Sequence, residues 1–237
     1  MLRVRPLVYT ADLARGTRFL TALGLTPARD REPDDSCAVF DAGSGRVALH
    51  ACTPGSEEHG TTALAFEVGV VHEFARRTAE AGTAVELTAE GHGPAARITA
   101  PDGLSFLAHA GPRDTGAPAS PLAVLALWYT PDDAAAARVL ADLGAKPRIG
   151  SPAGTLHAFR AKNGGLVAAI TGPAAGCGLA FDYEGDVRDL VPRVSGAGFD
   201  HDVVEESHGR SLRTAAPWGA EVVVHEAQRD VENPTAP

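Results

Sequence analysis

The chain contains one segment twice. Residues 7–28 (LVYTADLARGTRFLTALGLTPA) and 127–148 (LWYTPDDAAAARVLADLGAKPR) share ten of 22 positions at a shift of 120. Unrelated stretches of ordinary composition would share about one or two. The match continues with a slightly smaller shift. Leu64-Ala65-Phe66 matches Leu179-Ala180-Phe181, and Glu90, His92, Gly93, Arg97, Pro101, Gly103 and His109 match Glu206, His208, Gly209, Arg213, Pro217, Gly219 and His225. A tandem duplication of this length obliges the two halves to adopt one fold twice. The small drift in shift marks short loop deletions. The halves meet at a stretch rich in Gly, Pro and small residues, GPRDTGAPAS from Gly111 to Ser120. Module 1 is therefore expected over 1–111, a linker over 112–119 and module 2 over 120–227. The polar, proline-ending tail 228–237 is expected to fray.

Each module reads as strand, helix and further strands, twice over. In module 1 a strand over 3–9 leads to Thr10 and Asp12, which suit a helix N-cap. A helix follows from Leu13 to Leu23, with Phe19, Leu20 and Leu23 on one stripe and Gly24 as its stop. Strands come next at 37–41 and 46–51 around the Gly43-Ser44-Gly45 turn. The second unit has a strand over 63–68, a helix over 71–81 ended by Gly82, and strands at 84–87, 96–99 and 104–108. The fold class is α+β, built of tandem paired βαβββ modules that form half-barrel clefts, with helices on one sheet face only.

Composition removes several function classes. With 21 basic and 30 acidic residues the net charge is −9, and no Lys/Arg cluster offers a nucleic-acid face. Lysine occurs only at Lys146 and Lys162. No apolar run reaches the roughly 20 residues of a membrane helix, and the first residues lack a signal-peptide core. Cys37, Cys52 and Cys177 form no CxxC or zinc spacing. No G-x-S-x-G, P-loop or H-E-x-x-H motif is present. A cytoplasmic protein without nucleic-acid or membrane partners is expected, as a monomer or homodimer.

The order of these pieces resembles the vicinal oxygen chelate superfamily, the glyoxalase, bleomycin-resistance and extradiol-dioxygenase group. The carriers are T-x-D-L and an amphipathic helix ending L-G-L (Thr10 to Leu25), the L-A-F strand, Gly93 to Arg97, and the Pro101-Asp102-Gly103 turn feeding a last strand. The resemblance covers almost the whole chain. It implies paired units whose sheets curl into a half-barrel around a cavity. It also implies a divalent metal held by His and Glu, and that implication fails residue by residue. The ligand positions correspond to Arg5, Ala63 and Leu107 in module 1 and to Leu125, Gly178 and Val223 in module 2. None of these is a usable ligand, so no cofactor is expected.

Strand alternation then defines a ligand face. It should present Arg5, Leu7, Tyr9, Ala63, Leu107 and His109 in module 1, and Leu125, Tyr129, Gly178, Glu221, Val223 and His225 in module 2. Small and aliphatic residues at the centre and polar groups farther out suit an organic ligand. Arg5 would bind a carboxylate, phosphate or phenolate. With Leu125 and Glu221 opposite, the two halves are expected to form one polar-ended pocket taking one ligand per chain, two pseudo-equivalent clefts being the alternative. Trp128 is expected in the core, and Trp218, replacing the turn aspartate, is expected to be exposed or to lie on a neighbouring loop. The resulting expectation is metal-independent binding of a hydrophobic or aromatic small molecule, an antibiotic or natural-product intermediate, with self-resistance by sequestration as the implied role. The alternative is an enzyme of the same group, a lyase, isomerase, cyclase or dioxygenase. It would use His109, His225 and acidic neighbours as acid–base groups or as a displaced metal site.

Overall fold

A computed structural model describes residues 1–31, 34–90, 93–150, 156–206 and 209–227. His92, His208 and the tail 228–237 lie outside them. Module 1 runs β1 (Leu2–Val4), β2 (Leu7–Thr10), α1 (Leu13–Leu23), β3 (Thr26–Pro27), β4 (Cys37–Asp41), β5 (Arg46–Ala51), β6 (Thr62–Ala63), β7 (Ala65–Val68), α2 (Val71–Ala81), β8 (Val85–Glu90), β9 (Gly93–Thr99) and β10 (Ser105–Ala110). Module 2 repeats it with β11 (Leu122–Thr130), α3 (Asp133–Asp142), β12 (Lys146–Gly150), β13 (Leu156–Arg160), β14 (Leu166–Thr171), β15 (Gly176–Tyr183), a 3₁₀ turn (Val187–Leu190), α4 (Val191–Gly196), β16 (His201–Glu206), β17 (Gly209–Ala215) and β18 (Glu221–Glu226).

Module 2 is one mixed eight-stranded sheet in the order β12-β13-β14-β11-β15-β18-β17-β16. In module 1 the same sheet is split in two, β1-β7-β10-β9-β8 and β3-β4-β5-β2-β6. The expected strand over 3–9 is thus broken at Arg5-Pro6, whereas β11 runs unbroken through Ala126, the repeat mate of Pro6. Proline has no N–H to give the ladder and fixes its own φ, so this one substitution accounts for the split. Among the described residues no sheet closes into a barrel.

The helices form as their sequences dictate. Asp12 and Asp132 accept the backbone N–H of Arg15 and Ala135 at the two first-helix N-caps. Gly24 and Gly82 end α1 and α2 in the left-handed region, at φ 110° and 119°. All four helices cover the faces on which Leu2, Val4, Val8, Phe66, Val124, Trp128, Phe181 and Val224 are buried, and one core runs through both modules.

The modules clasp each other reciprocally. The β4–β5 hairpin of module 1 docks on the first strand of module 2: Ser44 N–H donates to Leu122 O at 3.2 Å, and Val124 N–H to Ser44 O at 2.8 Å. The β13–β14 hairpin returns the contact, with Asn163 N–H to Leu2 O at 2.8 Å and Val4 N–H to Gly164 O at 2.9 Å. Residues 44, 122, 163 and 2 are near repeat mates, so the contact is self-complementary in the manner of a two-fold dimer. The turn tryptophan belongs to this seam. Trp218 is buried rather than exposed, 3% accessible, because its turn lies against α1 and its ring meets Phe19 edge-on at 5.2 Å. At the opposite turn Asp102 Oδ2 accepts Trp128 Nε1–H at 2.9 Å.

Candidate functional site

The concave sheet faces lie outside the shared core, one on each module. Arg5 sits among Glu67, Arg31, Cys37 and Arg46, whereas Leu125 sits beside Leu166 and Ala180. The twelve expected site residues are therefore not gathered into one pocket. Arg5, Leu7, Tyr9, Ala63, Leu107 and His109 belong to one face. Leu125, Tyr129, Gly178, Glu221, Val223 and His225 belong to the other. The single cleft with Arg5 at one end and Glu221 at the other does not form, because each module curls its own sheet and the helix-bearing faces turn to the common core.

Module 1's face is filled with charge. Glu67 is fully buried and faces three arginines: Arg3 Nη1 at 2.7 Å, Arg46 Nη1 at 3.3 Å and Arg5 Nε at 3.6 Å. Arg46, also fully buried, donates from Nε to Asp41 Oδ1 at 2.7 Å and from its terminal nitrogens to Asp30. Burial opposes the Arg46 charge, but the hydrogen bonds to Asp30 and Asp41 outweigh it and hold the guanidinium above its ordinary range. Arg3 also donates to the carbonyls of Pro112 and Arg113, at 2.9 Å each, fastening the start of the linker across the face. Gly111 permits that crossing: a Cβ there would stand 2.8 Å from the Glu67 carboxyl carbon. Leu7 packs on a small separate cluster of Ala28, Val39 and Ala48. Tyr9 meets His50 edge-on at 5.8 Å, and His109 is engaged by a neighbour of its own.

Module 2's face is more open. Leu125, Leu127, Ile170 and Val223 are half-buried, and Tyr129 is 37% exposed. Asp182, the repeat mate of Glu67, has one arginine partner, Arg148 Nη1 at 3.0 Å. One wall is polar: Ser211 Oγ donates to Glu206 Oε1 at 2.7 Å, and Arg213 lies 3.3 Å from the same oxygen and 4.0 Å from Glu221. His225 stands in register between Asp182 and Ser211. A pocket of about 350 Å³ at the module seam is lined by Gly60, Thr62, Cys177, Gly178, Trp218 and Glu221, among others. Gly178 and Glu221 are common to this pocket and the concave face. A Cβ on Gly178 would have the Tyr129 and Leu127 side chains as its nearest neighbours, at 3.3 and 3.5 Å.

Sequence reasoning missed Arg3, Arg46 and Arg148 as the ion-pair partners of Glu67 and Asp182. Matching acids at repeat positions 67 and 182 were the available signal. The cysteine at the pocket carries a prediction. Burial pushes the Cys177 thiol up to about 11, so at pH 8 its reactive thiolate is depleted about a hundredfold relative to an ordinary cysteine. Timed iodoacetamide labelling with peptide mass spectrometry should show that lag. Labelling of Cys177 at an ordinary rate would mean that this part of β15 is open to solvent.

This arrangement is the vicinal oxygen chelate fold. The chain superposes on the 2,3-dioxygenase LapB from Pseudomonas sp. KL28 with a TM-score of 0.65 and 17% identity, over 99% of this chain and 94% of that one. The Mn(II)-bound glyoxalase from Novosphingobium aromaticivorans gives 0.62 and 18%, over 98% and 84%. Homoprotocatechuate 2,3-dioxygenase from Brevibacterium fuscum, in complex with 3,4-dihydroxyphenylacetate, gives 0.66 and 17%, over 99% and 82%. No protein-family model matches the chain, and no curated protein matches it in sequence.

Among the described residues neither face offers a donor set for a metal such as the Mn(II) of that glyoxalase. Leu125, Gly178 and Val223 bring no donor to the centre of module 2, and Arg5 would repel a cation in module 1. Among the described residues no three His, Cys, Asp or Glu side chains converge to hold an ion. No helix among them is long and apolar enough to cross a membrane.

Proposed function

We propose that module 2 binds a hydrophobic or aromatic small molecule without a metal. The observation that carries this reading is the contrast between repeat mates. Module 1's face is packed with ion pairs, whereas module 2's keeps half-buried Leu125, Leu127 and Val223 and exposed Tyr129 next to a 350 Å³ pocket. An apolar floor with a few polar groups on one wall suits an organic ligand with one polar end. Tyr129 supplies an aromatic surface, and Glu221, Arg213 and His225 orient the polar end. Sequestration of an antibiotic or natural-product intermediate, giving self-resistance, is the role that fits such a site.

Turnover is the second reading, favoured by His225 lying between Asp182 and Ser211, with Glu206 close by. A histidine within hydrogen-bonding distance of a substrate on such a face is the kind of acid–base group a lyase or isomerase requires. Native mass spectrometry of protein from its own cells tests both. The expected result is one organic molecule per chain, released chemically unchanged, and none in Gly178→Phe, whose ring is added beside Tyr129 and Leu127 on the apolar face. Near-wild-type stability is expected for that variant, since the atoms nearest the new Cβ belong to the side chains of Tyr129 and Leu127, and Tyr129 is exposed and can give way. A converted ligand would favour the enzyme, and a stoichiometric metal that resists dialysis would overturn the metal-free reading.

A further inference from the structure

The two helix seams between the modules are repeat mates, and they are filled differently. Where α4 packs on α1, Arg193 Nη2 donates to Thr21 O in the last turn of α1 at 2.8 Å, with its other terminal nitrogen beside Gly24. In the other seam α2 packs on α3, and the matching positions are Arg77 on α2 and Ala141 and Gly144 at the end of α3. Arg77 does not take the corresponding seat. Its Nε donates to Glu73 at 2.6 Å, its side chain is 72% exposed, and nothing lies within 4 Å of a Cβ placed on Gly144. The aromatic filling differs as well. Phe19 and Phe199, whose rings meet at 5.0 Å in the first seam, have Val139 and Thr83 as their mates in the second. The smaller side chains leave a cavity of about 510 Å³, lined by Leu2, Val68, Phe74 and Leu143 together with Asp142 and Gly144 of the α3 end.

We propose that this cavity binds a small planar organic cation, an amidinium or guanidinium on an apolar body. The site is separate from the apolar face of module 2 and does not depend on its function. Arg193 shows what such a helix end takes: a guanidinium on a last-turn carbonyl, where the helix dipole is negative. The α3 end adds a carboxylate, Asp142, where α1 has Ala22. Its Oδ2 accepts Thr83 Oγ1–H at 2.6 Å, and its Oδ1 has no hydrogen-bond partner among the described residues. Phe74 contributes an aromatic side chain, which favours a cation further. Lys162 stands at the other end, where the cavity adjoins a second hollow lined by Arg113 and Asn163 but by neither Asp142 nor Gly144. The cation is therefore drawn to the α3 end, and the net charge of −9 favours its approach.

Calorimetric titration of the full chain with benzamidine, and with its neutral isostere benzamide, tests this. Benzamidine should bind saturably at one molecule per chain, and benzamide about tenfold or more weakly. Asp142→Asn should weaken benzamidine about ten- to a hundredfold. Glu73→Gln changes only an exposed ion pair and releases Arg77 to take the seat that Arg193 takes in the other seam, so it should weaken benzamidine about two- to fivefold. Arg77→Ala removes that competitor and should bind benzamidine at least as tightly as the parent chain. Gly178→Phe should leave benzamidine binding intact. Absence of saturation, equal affinity for benzamide, unchanged affinity in Glu73→Gln, or loss of binding in Arg77→Ala would each overturn the proposal, even where Asp142→Asn fails to fold.

Discussion

Replacing Glu67 by alanine is expected to cost about 3–5 kcal/mol of folding stability, the range for removing one partner of a buried ionic group. The size follows from position. Glu67 has no solvent access, and its two oxygens are the meeting point of Arg3, Arg5 and Arg46. Its loss leaves Arg5 without its ion pair and removes one acceptor each from Arg3, which keeps backbone carbonyls, and Arg46, which keeps Asp30 and Asp41, in a site with little water. Its repeat mate provides the control. Asp182 has 14% side-chain exposure and one arginine partner, so Asp182→Ala should cost only about 1 kcal/mol. Urea unfolding at pH 7 compares the two, with equal slopes showing that only stability has changed. A Glu67→Ala loss no larger than that of Asp182→Ala would mean that the arginines find other partners.

The acid side of the same network follows from Asp30. The hydrogen bond from Arg46 holds its carboxyl below the ordinary value. A depressed folded pKa contributes stability above the unfolded value and loses it as pH falls through the folded one. The contribution is therefore constant at neutral pH and erodes only below about pH 4.

The second large effect is expected at the clasp. Gly165 sits at φ +88°, and a Cβ there would lie 2.5 Å from Val4 Cβ. Gly165→Ala should therefore lose about 1–2 kcal/mol to left-handed backbone strain and a further 1–3 kcal/mol to overpacking. Gly103 has nearly the same φ, +86°, with nothing within 4 Å of its Cβ position. Gly103→Ala thus isolates the backbone part, and the difference in urea midpoint measures the steric part. Equal losses at the two sites would show that the hairpin withdraws freely from β1. Gly45, the repeat mate of Gly165, approaches both Gly165 and Val124. A double alanine variant at Gly45 and Gly165 should therefore be non-additive, since the two positions share one contact.

Local signals proved strong in this chain. Asp12 and Gly24 bracket α1, and Gly82 stops α2, where the sequence indicates. The repeated order of strands and helices foretells the α+β architecture. What alternation cannot express is what covers a face. Arg46 reaches Glu67 on another strand, and Arg3 catches carbonyls over a hundred residues away, so module 1's filled face is invisible to periodicity. Trp218 shows the same limit. A tryptophan in a turn looks exposed until the opposite module's helix is placed against it. Pro6 was readable, being a proline where the second copy has Ala126. Its effect on the sheet needs only the missing N–H.

The reciprocal clasp also has a consequence in time. Val4 waits for Gly164, 160 residues later, and Leu2 for Asn163. At bacterial or eukaryotic translation speeds of about 5–20 residues per second, that is roughly 8 to 30 seconds. During that interval the nascent first half carries an unpaired strand end and a bare apolar flank. A newly made neighbour offers the same docking hairpin as the missing second half, so crowding on one messenger favours exchange of halves between chains. Slow synthesis and sparse ribosome loading are thus conditions under which this duplicated chain closes on itself.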